Sequence, residues 1–143
     1  MSSDRAAMDE VLKDLVVPRL REMGFRGSLP HLRRIRGDAL DLLSVQHFSS
    51  GGSLVVEIGK APADGIVYGG RHIPAAKLNV TYPVERMRLG SDPAGGCSDH
   101  WFFYGRRSYE SMLPAPTRGQ MEAVASEIVA LLRSQAEPWW LAS

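Results

Sequence analysis

At 143 residues, with 44% hydrophobic and 23% charged side chains, the chain has the composition of one ordinary globular domain, which excludes disorder and fibrous repeats. A domain of this length buries about 70% of the surface its unfolded chain exposes and needs no staple to fold. A formal net charge of +1 excludes a global field that would draw the protein onto nucleic acid or an anionic membrane, so any such binding must come from a local patch. The single cysteine, Cys97, excludes an internal disulfide framework and fits a reducing compartment. Asp4, Arg5, Asp9, Glu10 and Lys13 interrupt the first turns, leaving no apolar core for a signal peptide, and no apolar run approaches the roughly 20 residues that span a bilayer. One cytoplasmic domain over residues 1–143, without membrane contact, is the expectation.

In chain order, Met8, Val11, Leu12, Leu15, Val16, Leu20 and Met23 recur at helical spacing and define an amphipathic opening helix. Ser3 or Asp4 can cap its start, and Gly24 stands where a left-handed residue ends a helix, with Phe25 placed to fold back. Pro18 predicts a kink, or two short helices meeting at Val17. Three extended segments follow, His31–Arg36, Leu40–Phe48 and Ser53–Lys60, separated by Gly37-Asp38 and by Ser49-Ser50-Gly51-Gly52, the punctuation of a meander. Leu40, Leu42, Leu43 and Val45 occupy both faces of the second segment, which marks a central strand covered on both sides.

Residues 61–73 read as a Gly-, Ala- and Pro-rich loop with a short strand at Ile66–Tyr68. Leu78–Thr81 and Val84–Leu89 read as extended around Pro83, residues 90–99 as loop, and His100–Gly105 as a last, aromatic strand. Thr117 and Gln120 form a capping-box pattern ahead of a closing helix whose apolar face is Met121, Val124, Ala125, Ile128, Leu131 and Leu132. Pro138 is expected to stop it, leaving Trp139 and Trp140 as an aromatic tail docked on the sheet or the first helix. The fold class is therefore α+β: an antiparallel, meander-like sheet of about four to six strands flanked by an N-terminal and a C-terminal helix.

The landmarks Leu20-x-x-x-Gly24-Phe25, Arg33-Arg34-x-x-Gly37-Asp38, Val45-Gln46 with a turn at Gly52, Glu57-x-Gly59, Arg88-Leu89-Gly90, Trp101 and Pro138-Trp139-Trp140 are collinear over nearly the whole chain. Their order resembles the bacterial domain of unknown function 4304 family, from which this chain departs by a longer Gly/Ala loop at residues 61–76. The resemblance implies a stand-alone α+β domain of unknown activity, with some relatives suspected of acting in toxin-immunity or related interaction systems. It implies no catalytic residues.

Chemistry read directly from the residues is sparse. Cys97 and His100, with Asp99 between them, offer a thiol and an imidazole for a nucleophile–base pair or, with His72, for a metal. No second ligand pair accompanies them, and no nucleophile signature surrounds them. Asp41 and Glu57 on neighbouring strands read as cross-strand partners of Arg33, Arg34 or Arg36 rather than as an acid–base pair. Gly69-Gly70-Arg71-His72 lacks the strand and helix that flank a phosphate loop. The feature that stands out is arginine: Lys occurs only at positions 13, 60 and 77, whereas Arg33, Arg34, Arg36, Arg86, Arg88, Arg106 and Arg107 accumulate on or beside strands, together with Trp101 and Tyr104. If they share a face, they form an aromatic-edged basic surface for a protein partner. The expected function is non-enzymatic protein binding, immunity-like or accessory, without cofactor or metal. A nucleic-acid binder using the arginine face is the alternative, and a hydrolase-like enzyme with an unidentified site is the second.

Overall fold

A computed structural model describes residues 3–142 and the side chains of residues 4–142. The opening helical segment runs as α1 (Ser3–Val11), a π-helical turn (Leu12–Val16) and α2 (Val17–Glu22). The strands are β1 (Arg26–Ser28), β2 (His31–Arg36), β3 (Ala39–His47), β4 (Ser53–Pro62), β5 (Ile66–Tyr68), β6 (Arg71–Ile73), β7 (Glu85–Arg88) and β8 (Phe102–Phe103). A closing helical segment of α3 (Arg118–Leu131), a second π-helical turn (Leu132–Ala136) and α4 (Glu137–Leu141) completes the fold. The architecture is α+β as expected, an antiparallel six-stranded sheet in the order β1-β2-β3-β4-β7 with β8 also on β4, between an N-terminal and a C-terminal helix. No described helix is long and apolar enough to cross a membrane.

The opening helix ends as its sequence dictates. Gly24, at φ +101°, donates its N–H to the Arg21 carbonyl, and Phe25 donates to Leu20. This double closure satisfies the last carbonyls and folds the Phe25 ring into the core beside Leu20. Thr117 likewise accepts from the Gln120 N–H while the Gln120 side chain accepts from the Thr117 N–H, the reciprocal cap foreseen for α3.

Both prolines inside helices are accommodated by the same device. A proline at position i lacks the N–H for the carbonyl at i−4, and its ring collides with that carbonyl. Ahead of Pro18 and Pro138 the backbone widens into a π-helical turn, in which Val17 donates to the Leu12 carbonyl and Glu137 to the Leu132 carbonyl. Thus α2 starts at Val17, the junction anticipated from the sequence. Pro138, by contrast, does not stop the closing helix: it occupies the first turn of α4, and the two tryptophans are helical residues rather than a tail.

One face of the sheet carries the main core, in which Met8, Leu12, Val16 and Leu20 from the opening segment meet Met121, Ile128, Leu132 and Trp140 from the closing one over Leu32, Leu43, Val56 and Ile58. The other face has a second, smaller core: Leu40 and Leu42 of β3 lie under Leu78 and Val80, with Ile66 and Ile73 of the β5–β6 hairpin at its margin. Central β3 is thus covered on both sides, as its composition requires. The stretch read as a Gly/Ala loop contains that hairpin, turned at Gly69-Gly70. Leu78–Thr81 is irregular rather than extended, because Pro83 and a side-chain turn from Asn79 Oδ1 to the Thr81 N–H divert the chain. The aromatic strand contracts to Phe102–Phe103, and β1 is a strand that polar Arg26, Gly27 and Ser28 did not announce.

Trp140 is 1% exposed, packs on Phe25 at 4.8 Å and donates its indole N–H to the Gly59 carbonyl. Trp140→Ala should therefore cost about 3–5 kcal/mol. Urea unfolding followed by circular dichroism checks this, with a lowered midpoint and an unchanged slope expected.

Candidate functional site

The arginines nominated from the sequence do not share a face. Alternation along β2 turns Leu32, Arg34 and Arg36 toward the helices and Arg33 toward the opposite side. Arg34 is 7% exposed. Its Nε donates to Asp41 at 2.8 Å, Nη1 to the Met23 carbonyl and to Glu137, and Nη2 to Glu137. Phe25 and Trp140 present their rings at 4.8 and 5.4 Å from its Cζ. Arg36 forks onto Asp41 and caps the Trp140 carbonyl. These two arginines form the fastening between α4 and the sheet, and ligand has no access to Arg34.

Arg106 is also committed. Its backbone N–H, Nε and Nη2 hold the carboxylate of buried Asp4, and Nη1 takes the carbonyls of Ser111 and Leu113. On the outer face, Arg88 donates to Glu57 at 3.3 Å and to Asp99, while Arg86 Nε lies 3.8 Å from Glu57. Asp41 faces the helices and Glu57 the opposite side, so the register forms no carboxylate pair. Glu57 Oε2 is buried without a hydrogen-bond partner.

Of the residues nominated from the sequence, Arg88, Trp101 and Arg107 do come together, through Phe48 and beside Tyr109, two residues the sequence reading did not include among its candidates. Arg88 Cζ lies 5.3 Å from the Trp101 ring, Trp101 meets Phe48 edge-on at 5.5 Å, Arg107 Cζ lies 5.8 Å from Phe48, and Arg107 Nη1 donates to the Tyr109 hydroxyl at 3.2 Å. Two guanidinium and three aromatic groups are thus linked in a row of five residues from β7, the residue after β3 and the segments flanking β8, each guanidinium within about 6 Å of a ring. Tyr109 itself is 64% exposed, and Phe103, Met112 and Leu113 on the same 102–113 segment add exposed apolar surface, at 67%, 82% and 46%. The only sequence signal was local, a strand ending in Phe48 before a Gly turn and paired Arg106-Arg107 after an aromatic run; their meeting depends on β8 joining β4.

The chemical candidates separate. Cys97 Sγ donates to the Asp99 carbonyl, whereas the His100 ring stacks edge-on against Phe102, so the thiol and imidazole form no pair. His72 bonds the Asp64 carbonyl on the hairpin. Among the described residues no three His, Cys, Asp or Glu side chains gather as a metal-binding group. An Asp9–His47–Tyr104 chain does form, with His47 bonded at 2.8 Å on both sides. Burial pushes the Tyr104 hydroxyl up to about 12, and with only 3% of Tyr104 exposed this chain ties α1 to the sheet rather than meeting a substrate.

A family model described as "Domain of unknown function (DUF4304)" matches residues 16–142. The chain belongs to the DUF4304 family. Comparison with curated proteins and with solved structures returns no match. Several of the landmarks on which the sequence resemblance rested fall on the scaffold: Leu20, Gly24 and Phe25 close the opening helix, Arg34 is the buried fork, and Trp140 is its lid. The Arg88–Trp101 contact of the outer stripe also joins two of them.

Two predictions follow from these geometries. Asp41→Ala strands buried Arg34 and should cost about 3–5 kcal/mol, while Arg34→Met combined with Asp41→Leu should lose less than Asp41→Ala alone, by denaturant titration. The Arg106 hydrogen bonds, opposed by burial, hold the Asp4 carboxyl below its ordinary 3.8. A depressed carboxylate stabilises the fold above its unfolded value and loses that contribution as pH falls through the folded one. Wild type should therefore lose stability more steeply below about pH 4 than Asp4→Asn, measured by thermal melts across pH 2–6.

Proposed function

We propose that this DUF4304 protein is a non-enzymatic interaction domain, an accessory or immunity-like factor of the bacterial cytoplasm, which grips another protein through the Arg88–Trp101–Phe48–Arg107–Tyr109 stripe. The observation that carries the reading is the stripe itself, a continuous row of two guanidinium and three aromatic groups, with Phe103, Met112 and Leu113 exposed on the same 102–113 segment. Arg, Trp and Tyr dominate binding hot spots because they combine large rigid contact area with directional donors. Clustered apolar exposure on one short segment is uncommon on a surface with no partner.

Nucleic acid is the second reading, favoured by rings on which bases could stack. Carboxylates on Arg86, Arg88 and Arg106 weigh against it, since they cancel much of the charge that phosphate contacts would draw upon.

The test compares wild type with Trp101→Ala and with Phe103→Ser in nuclease-treated pull-downs from lysate of the native organism, quantified by mass spectrometry. A stoichiometric protein that survives moderate salt and is lost from both variants, with melting temperatures retained, is the expected result. Retention of the same protein by both variants, recovery of nucleic acid alone, or an empty eluate each overturns the reading.

A further inference from the structure

We propose that the cleft between the β3–β4 turn, the first turn of α1 and the segment after β8 binds a phosphomonoester group carried by that protein partner. This rests on the interaction reading above and specifies the chemistry recognised at one end of the stripe. The cleft measures 370 Å³ and is lined by Asp4, Arg5, Phe48, Ser49, Ser50, Gly51, Arg106, Arg107, Ser108 and Ser111, so Phe48 and Arg107 belong to both surfaces.

Its donors outnumber its acceptors. Asp4 is the one carboxylate on the wall, and three hydrogen bonds from Arg106 neutralise it. Among the described residues neither Arg5 nor Arg107 makes a side-chain ion pair, although Glu110 accepts the Arg107 backbone N–H; the Arg107 side chain spends a single donor, on Tyr109, and Arg5 none. Among the described residues the hydroxyls of Ser49, Ser50, Ser108 and Ser111 bond no protein group, and the N–H groups of Ser49 and Ser50 have no protein acceptor. Two planar forks, short hydroxyls and free amides around a small open cleft suit a tetrahedral dianion, whose three oxygens accept several charge-assisted hydrogen bonds at once.

The walls are fixed before any ligand arrives. A Cβ built on Gly52 would lie 3.1 Å from the Arg106 carbonyl carbon and from the Gly105 oxygen, so the turn and the 105–107 backbone are in direct contact. Ser108 N–H closes the same junction by donating to the Ser50 carbonyl at 2.6 Å. Preorganised donors avoid the ordering cost that a mobile loop would add. A phosphoryl group here sits beside Phe48, and the chain carrying it continues over Trp101 and Phe103.

The full chain is titrated at constant ionic strength with inorganic phosphate, O-phosphoserine, serine and adenosine 5′-monophosphate, followed by amide chemical shifts. Saturable shifts at Ser49, Ser50 and Ser108 with phosphate and phosphoserine, none with serine, and roughly tenfold weaker binding in Arg5→Ala and in Arg107→Ala are expected. Arg133→Ala, on the closing π-helical turn, should bind as wild type does. Shifts that fail to saturate, binding in the two cleft variants as tight as in wild type, or shifts stronger with the nucleotide than with phosphoserine overturn the assignment. The titration needs no partner, so its failure with partner capture intact removes this inference alone. Loss of the interaction reading with phosphate binding intact leaves a phosphoryl site without its proposed carrier.

Discussion

The fold depends on where one guanidinium lies. Arg34 lies against the contacting rings of Phe25 and Trp140 and divides its donors among Asp41, Glu137 and the Met23 carbonyl. Those partners come from β3, from α4 and from the end of α2, so one buried charge fixes the relative placement of three elements that hydrophobic contact alone would let slide. Burying an arginine is tolerable only when its charge and nearly all its N–H groups are matched. The geometry therefore demands an uninterrupted closing segment, since Glu137 and Trp140 must both reach it.

That demand explains the π-helical turns. Without one before Pro138, the missing N–H and the ring collision would end the helix short of Glu137 and Trp140. With it, the last turn continues and its carbonyls meet basic side chains: Arg36 takes Trp140, and Lys60 takes Trp139 and Ala142. Cations at a helix C-terminus also oppose its dipole. Arg34 and Arg36 of β2, which looked like part of a binding surface, are thus occupied in building the interior, and the proposed recognition surface lies instead around β7 and β8.

Much of this was written in the chain. Apolar spacing gave both helices, Gly24-Phe25 the first stop, Thr117 and Gln120 the second start, and the two-faced apolar run of β3 its central place. The charge pairing of Asp41 with Arg34 and Arg36 was legible as well; its burial was not, because it follows from a helix that continues through a proline. Strand β8 could not be sized from four consecutive aromatic residues, of which the sheet takes two. The stripe was hidden for a related reason: Phe48 and Trp101 are far apart in sequence, and neither belongs to a periodic pattern. Period finds elements that bury a face, whereas a surface assembled from loop ends depends on tertiary pairing.

The β5–β6 hairpin lies in the Gly- and Ala-rich stretch of residues 61–76, and with residues 74–84 it roofs Leu40 and Leu42. A relative lacking the roof would hold those two leucines bare to water on a sheet face. Loop length and side-chain polarity at positions 40 and 42 are therefore expected to change together across the family, short-looped members carrying polar residues there or shielding the face with a second chain. The hairpin thereby determines whether that side of the sheet is interior or frontier.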